Sequence, residues 1–473
     1  MHVLVIEDKS EFVDAIIAML AELPGPPNPR VARSRDAAYA LLETEFFDLI
    51  VLDLRIPTKD GGFDDAPSHG HAVFARARSV APGTPILVLT GSPVEDFVET
   101  LLEQKQDVDV WGENRKVMTV DILRKYEFEK CPAKLRPLAE AVRALADIEL
   151  DRSTINLSIE DDRLIRIFAR KNGGTRCIIS RVGGGLSDAL VLRIRITDAG
   201  GARVHDAVAK LGSPADVMNE SERFDRYVSR LDAPATPRKL AMLHFGGRGR
   251  AAIFYGLADG FDQTAFEISR ASEEQVAKAI KGVESATARW LEDVGQTRKT
   301  IQVVRRRNLS DAEAAKLLEK FPIPWAAEFE GREIQTRWAC IHGDLHGSNV
   351  LLAGDGRAVV IDYGDVGEGP ASLDPVTLEL SAIFHPQGPL KDSVWPTLDQ
   401  AKQWGDLESY LEGCPIPAFI RECRSWAARA AAGNREICAS AYAYLLRQLK
   451  YEDTNKELAL ALLQGVKASF DAT

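Results

Sequence analysis

Between Ile341 and Asp365 the chain reads IHGDLHGSNVLLAGDGRAVVIDYGD, a stretch dense in groups that can do chemistry. Asp344 stands ahead of the apolar run Val350-Leu351-Leu352, and Asn349 lies five residues after Asp344. Asp362 closes a second apolar run, Ala358 to Ile361, which the turn Gly354-Asp355-Gly356 joins to the first as a hairpin. A neutral oxygen and a carboxylate at one end of paired strands suit Mg²⁺ beside nucleotide phosphates. A separate aspartate ahead of them can orient a hydroxyl or take its proton. Phosphoryl transfer from ATP also needs a cover over the phosphates and a cation on them. Gly183-Gly184-Gly185, followed by Ser187, can supply the cover, because glycine backbone N–H groups approach phosphates closely. Lys210, on the strand "RVHDAVAKLGS", can supply the cation. A helix over 213–231 follows, with an apolar stripe of Val217, Phe224, Val228 and Leu231. Glu220 falls on that stripe and is placed to orient Lys210, whereas Glu222 lies to one side.

A second set of reactive residues lies near the N-terminus. Short β-like runs at Val3–Ile6, Arg30–Ala32, Leu49–Leu52, Pro85–Leu89 and Thr119–Leu123 alternate with helical patterns, the mark of a parallel sheet wrapped by helices. In such sheets the site lies at the carboxyl ends of the strands. Those ends carry Glu7 and Asp8, then Asp53, Thr90 and Lys125. Three converging carboxylates repel unless a hard cation such as Mg²⁺ joins them. A hydroxyl and a lysine facing them suit a phosphoryl group arriving on one carboxylate. Lys125 is favoured because it ends a β-like run and precedes an aromatic and a helix, with Lys116 and Lys130 as alternatives.

The elements that must position these residues define the organisation. A first α/β domain spans 1–147 and is followed by a connector over 148–175, led by the Ala/Leu-rich helix "LRPLAEAVRALADIEL". Residues 176–260 form a small β-rich lobe and 261–473 a larger helical lobe, with a charged, largely helical insertion over 261–325. A small β lobe before a helical lobe is the order of a protein kinase.

Two resemblances attach to these residues. "VLVIED", "LIVLDLRIP" and "PILVLTG" resemble the receiver domain of bacterial response regulators. That resemblance implies a flavodoxin-like, doubly wound five-stranded fold. Glu7, Asp8 and Asp53 would hold Mg²⁺, Asp53 would be the phosphoacceptor, and Thr90 and Lys125 the switch pair. Longer loops after Asp53 and between Thr90 and Lys125 depart from the pattern. "HGDLHGSNVLL" with "VVIDYGD" resembles the aminoglycoside phosphotransferase and choline kinase branch of kinase-like enzymes. That implies Asp344 as catalytic aspartate, Asn349 and Asp362 as magnesium ligands, and ATP as co-substrate. It also implies a structural role for His342, and a supporting and helix-capping role for Asp374.

Composition sets limits. With 473 residues and a net charge of −11, the chain is acidic and multidomain, and an extended nucleic-acid partner is not expected. No membrane span or signal peptide is expected, and six scattered cysteines without a CxxC pair fit a reducing cytoplasm. The expected partners are an upstream histidine kinase or phosphotransfer protein, an unidentified phosphoryl acceptor, and a second receiver in a homodimer. Two other readings remain open. One is a nucleotide- or partner-binding adaptor without catalysis; the other is a small-molecule kinase whose receiver is vestigial.

Overall fold

The computed structural model describes residues 1–25, 27–91, 107–152, 154–182, 189–257, 260–321 and 323–473. The chain divides into two compact units, Met1–Arg181 with Ser187–Val217 and Lys239–Gly256, and Val182–Leu186 with Met218–Arg238 and Leu257–Thr473.

The first unit opens with β1 (His2–Ile6), α1 (Ser10–Ala21), β2 (Asn28–Ala32), α2 (Arg35–Thr44), β3 (Leu49–Leu52), α3 (Pro67–Val80) and β4 (Ile86–Thr90). A small hairpin of β5 (Asp107–Val108) and β6 (Val117–Met118) follows, then β7 (Val120–Arg124) and α4 (Cys131–Ala146). The parallel sheet has the order β2-β1-β3-β4-β7. Its central strands are buried on both faces, as their unbroken runs of Val, Ile and Leu require. The order reverses between β1 and β3, so the loops after these two strands splay apart and leave a crevice.

The stretch 148–175, expected as a connector, is built into the unit. Strand β8 (Glu149–Asp151) begins three residues after α4 ends and pairs in parallel with β9 (Arg176–Arg181). With β10 (Leu190–Thr197), β11 (Arg203–Gly212), β12 (Arg238–Leu243) and β13 (Ala251–Gly256) it forms a six-stranded mixed sheet, order β12-β13-β11-β10-β9-β8. Helix α5 (Ile159–Lys171), N-capped by Ser158, buries Leu164, Ile165, Ile167 and Phe168. One core runs from α4 (Ala141, Val142, Leu145) and the hairpin loop (Val110, Trp111) through α5 to Ile194, Ala209 and Phe254 of the sheet. Phe168 and Phe254 stack there with ring centroids 3.8 Å apart. Arg163 pairs with Asp48 at 3.0 Å and Arg170 pairs with Glu113 at 2.5 Å, fastening α5 to the N-terminal sheet's surround. We expect Phe168→Ala to destabilise this unit by about 3–5 kcal/mol, through lost burial and a cavity. Urea unfolding, followed by hydrogen exchange of β10 and β11, measures it.

The second unit holds two three-stranded sheets. β14 (Phe261–Thr264) lies beside β17 (Val350–Ala353) and β18 (Ala358–Val360), and β15 (Gln296–Thr300) joins β16 (Glu333–Ile341) and β19 (Gly367–Pro370). The segment 261–325 is therefore less helical than expected, because β14 and β15 lend edges to β17 and β16. Helix α6 (Pro214–Arg226) leads into this unit from residue 218 on. The remaining core helices are α7 (Glu273–Thr287), α8 (Leu373–Phe384), α9 (Pro417–Ala430), α10 (Asn434–Gln448) and α11 (Lys456–Asp471). Helix α8 is buried along its whole length, and its Glu379 is neutralised by Arg424 of α9 at 2.6 Å. Among the described residues no helix is long and apolar enough to cross a membrane.

Candidate functional site

In the first unit the carboxyl ends of β1 and β3 bring Glu7, Asp8 and Asp53 together, with ligand atoms all within 4.8 Å of one another. Glu7 and Asp53 are 1 % and 5 % exposed. Lys125, the first residue after β7, bonds Glu7 Oε2 at 2.5 Å and Asp53 Oδ2 at 2.7 Å, with its ammonium over the Phe12 ring. Of the three lysines weighed from sequence, only this one reaches the carboxylates. Lys130 pairs with Glu127, and Lys116 is exposed. Burial pushes the Glu7 carboxyl up to about 7, against the pull of Lys125, and the neighbouring Asp53 adds to the rise. Asp8 Oδ1 is buried with no hydrogen-bond partner. An orphaned oxygen beside two further carboxylates fits a hard divalent cation held by Glu7, Asp8 and Asp53. Thr90 is fully buried as the last residue of β4, whose next neighbour in the sheet is β7.

The same unit carries Lys210 on β11, between Val191 and Ile253, and 8 % exposed. Gly183, Gly184, Gly185 and Ser187 lie outside the described residues. Glu220 is in the second unit on α6, fully buried, whereas Glu222 is exposed, as the apolar stripe required.

In the second unit the motif residues are fixed by backbone bonds. Asp374, in the first turn of α8, accepts the His342 N–H at 2.7 Å and the Gly343 N–H at 2.9 Å. Its carboxylate thus clamps the loop that carries Asp344, and α8 receives no side-chain cap from it, contrary to the capping role expected. Burial pushes the Asp374 carboxyl up, and these two N–H groups together with His342 and Arg307 only partly offset that. The His342 ring bonds the Ile361 carbonyl at 3.0 Å, tying that loop to the residue before Asp362. Gly343 has φ +86°, and a Cβ there would stand 2.7 Å from the Asp365 carbonyl oxygen. The position therefore demands glycine. Asn349 donates its amide to the Asp344 carbonyl at 3.0 Å, and no described group bonds its Oδ1. Asp362 itself takes a left-handed backbone, φ 67°, where β18 ends and the chain turns away. The free Asn349 oxygen and the Asp362 carboxylate form a donor set that fits Mg²⁺.

Four residues around Asp344 are assigned no role from the sequence. Arg447, 103 residues downstream on α10, donates Nη1 to Asp344 Oδ1 at 3.1 Å, and its Nε donates to Tyr451 at 3.0 Å. His346 Nε2 lies 3.9 Å from Asp344 Oδ2, and its ring stacks on His385 with centroids 4.2 Å apart. Burial pushes the Asp344 carboxyl up, but Arg447, His346 and His342 outweigh it and hold it below the usual carboxylate range. Only His346 stands inside a recognisable motif, and nothing in the spacing of Arg447, Tyr451 or His385 announces a role.

Residues 178–393 match the model of the phosphotransferase enzyme family. The receiver domain of the Francisella response regulator 1452 is 21% identical, covering 30% of this chain and 98% of its own, with TM-score 0.22. The phosphorylated cyanobacterial phytochrome response regulator RcpA is also 21% identical over 29% of this chain and 91% of its own, with TM-score 0.22. A thermostable mutant of aminoglycoside phosphotransferase APH(4)-Ia, solved with AMP-PNP and hygromycin B, is 15% identical over 61% of this chain and 93% of its own, with TM-score 0.34. No curated protein matches the chain. Residues 178–393 are thus similar to the phosphotransferase enzyme family, and the chain as a whole sets a five-stranded parallel sheet ahead of a mixed sheet and a helical C-terminal region.

Proposed function

We propose that this is a signalling enzyme in which phosphorylation of Asp53 controls an ATP- and Mg²⁺-dependent phosphotransferase. The observation that carries the reading is the backbone clamp around Asp344, Asn349 and Asp362. Asp374 holds the loop before Asp344, and His342 ties that loop to Ile361, so the three polar groups are preorganised rather than free to drift. Mg²⁺ bound at Asn349 and Asp362 would neutralise charge on the nucleotide phosphates. Asp344 accepts the acceptor's hydroxyl proton as that oxygen bonds to the γ-phosphorus. The bond from phosphorus to the bridging oxygen breaks, and ADP leaves with the electron pair. Lys210, backed by Glu220, would contact the phosphates, and Gly183, Gly184, Gly185 and Ser187 would cover them.

The regulatory half of the reading is supported by the shared core of the first unit. Helix α4 runs almost directly into β8, with Ile148 buried between them. A rearrangement at Asp53 and Thr90 therefore has a packed path to the sheet that bears Lys210. The phosphoryl donor would be an upstream histidine kinase or phosphotransfer protein in the cytoplasm.

Calorimetric titration of ATP into the full-length protein tests the nucleotide site. Binding is expected only with Mg²⁺, and Asp362→Ala is expected to weaken it about 10–100-fold through loss of a charged ligand. Magnesium-independent binding, or an unchanged affinity in the variant, would remove Asp362 from the site.

A further inference from the structure

Arg447 is held in a fixed pose beside Asp344. Its Nη1 is spent on Asp344 and its Nε on Tyr451, and two bonds in the plane of a guanidinium leave it little freedom. No described group takes the hydrogens of Nη2. A second donor stands beyond the histidine pair. His385 Nδ1 accepts the Gln387 N–H at 3.1 Å, so the ring proton resides on Nε2, and no described group takes it. Burial keeps that ring neutral, with its pKa pushed down to about 3. His346, stacked between His385 and Asp344, is 8 % exposed, and its buried Nδ1 has no partner.

Three of the carboxylates here are already neutralised or committed. Asp344 is paired with Arg447, and Asp453, which acts on His385, is taken by Lys391 at 2.8 Å. Asp362 is assigned to the metal. Beside Asp365, which is exposed and also acts on Arg447, a cationic acceptor would meet a guanidinium edge. An anion would find two N–H donors with nothing else to bond, one of them charged.

Resting on the phosphotransferase reading above, we propose that Arg447 and His385 recognise an anionic group on the acceptor. The substrate class is then a hydroxyl compound bearing a carboxylate or a phosphate, and not a polyamine or a quaternary ammonium alcohol. Arg447 would bridge that anion and Asp344, bringing the acceptor hydroxyl to the carboxylate that takes its proton.

The test is calorimetry on the full-length protein saturated with Mg²⁺ and AMP-PNP, which fills the phosphate-binding region beforehand. Glycerate, glycerol 3-phosphate, choline and spermidine are the probes. Glycerate or glycerol 3-phosphate is expected to bind saturably, and at least about tenfold more tightly than either cation. The tighter of the two anions tells a carboxylate acceptor from a phosphorylated one. Arg447→Met is expected to weaken the anion at least about tenfold, with Arg447→Lys recovering only part because it lacks the fork. His385→Phe keeps the stacked ring but loses the Nε2 donor, and is expected to weaken the anion several-fold. It also stands in should Arg447→Met fail to fold. Tighter binding of choline or spermidine, no saturable anion binding, or anion affinity indifferent to both variants would each overturn the proposal. If AMP-PNP itself fails to bind, the phosphotransferase reading falls first, and that outcome is seen before any acceptor is added.

Discussion

Asp344→Ala is expected to lower phosphoryl transfer from ATP by about a thousandfold or more, the upper range for loss of a positioned general base. Nucleotide binding is expected to persist, because Asn349 and Asp362 remain. The loop is expected to keep its shape, since its anchors are the Asp374 carboxylate on the backbone of His342 and Gly343 and the His342 ring on Ile361. Asn349 bonds the Asp344 carbonyl and not its side chain, so that contact also survives truncation. One consequence is less benign. Arg447 keeps Tyr451 but loses its counter-ion, and a largely buried, uncompensated guanidinium costs stability. Single-turnover transfer of labelled phosphate, with a thermal melt on the same sample, separates the two effects. Transfer that survives in a folded variant would remove Asp344 from the chemistry.

Asp53→Ala is expected to abolish phosphoryl uptake by the first unit altogether. Asp53 is flanked by Glu7 and Asp8, with Lys125 on its Oδ2 and the Arg55 N–H on its Oδ1 at 3.3 Å. Glu7 is pinned by the same lysine and kept protonatable by burial, so it is a poor substitute acceptor. Wild-type protein incubated with acetyl phosphate and Mg²⁺ is expected to acquire one hydroxylamine-labile phosphoryl group, and the variant none. Label retained in the variant would move the acceptor away from Asp53. Because α4, β8 and the second sheet share a core, the labelled wild type is also the form in which altered transfer should appear.

Much of this site was legible in the chain itself, for a local reason. The strands Leu49–Leu52 and Ile86–Thr90 are unbroken aliphatic runs, which only a sheet covered on both faces accommodates. Strand ends then follow from where those runs stop, and a polar residue at such an end faces the crevice. Glu7, Asp8, Asp53 and Lys125 could therefore be picked out by position alone, and the structure brings all four together. The hairpin over 350–360 was readable in the same way, from two apolar runs and a glycine turn. The helical reading of 261–325 missed β14 and β15, because short polar strands such as Gln296–Thr300 owe their form to the neighbours that pair with them.

Local pattern in the chain specifies the inventory and its placement: a parallel sheet bearing converging carboxylates, and a hairpin flanked by Asp344, Asn349 and Asp362. These depend on periodicity and on side chains a few residues apart. Long-range packing makes 148–175 part of a sheet and core rather than a spacer, and sets Arg447 and His385 around Asp344. Packing brings together residues as far apart as Asp344 and Arg447, 103 positions along the chain, and no local pattern encodes such a meeting.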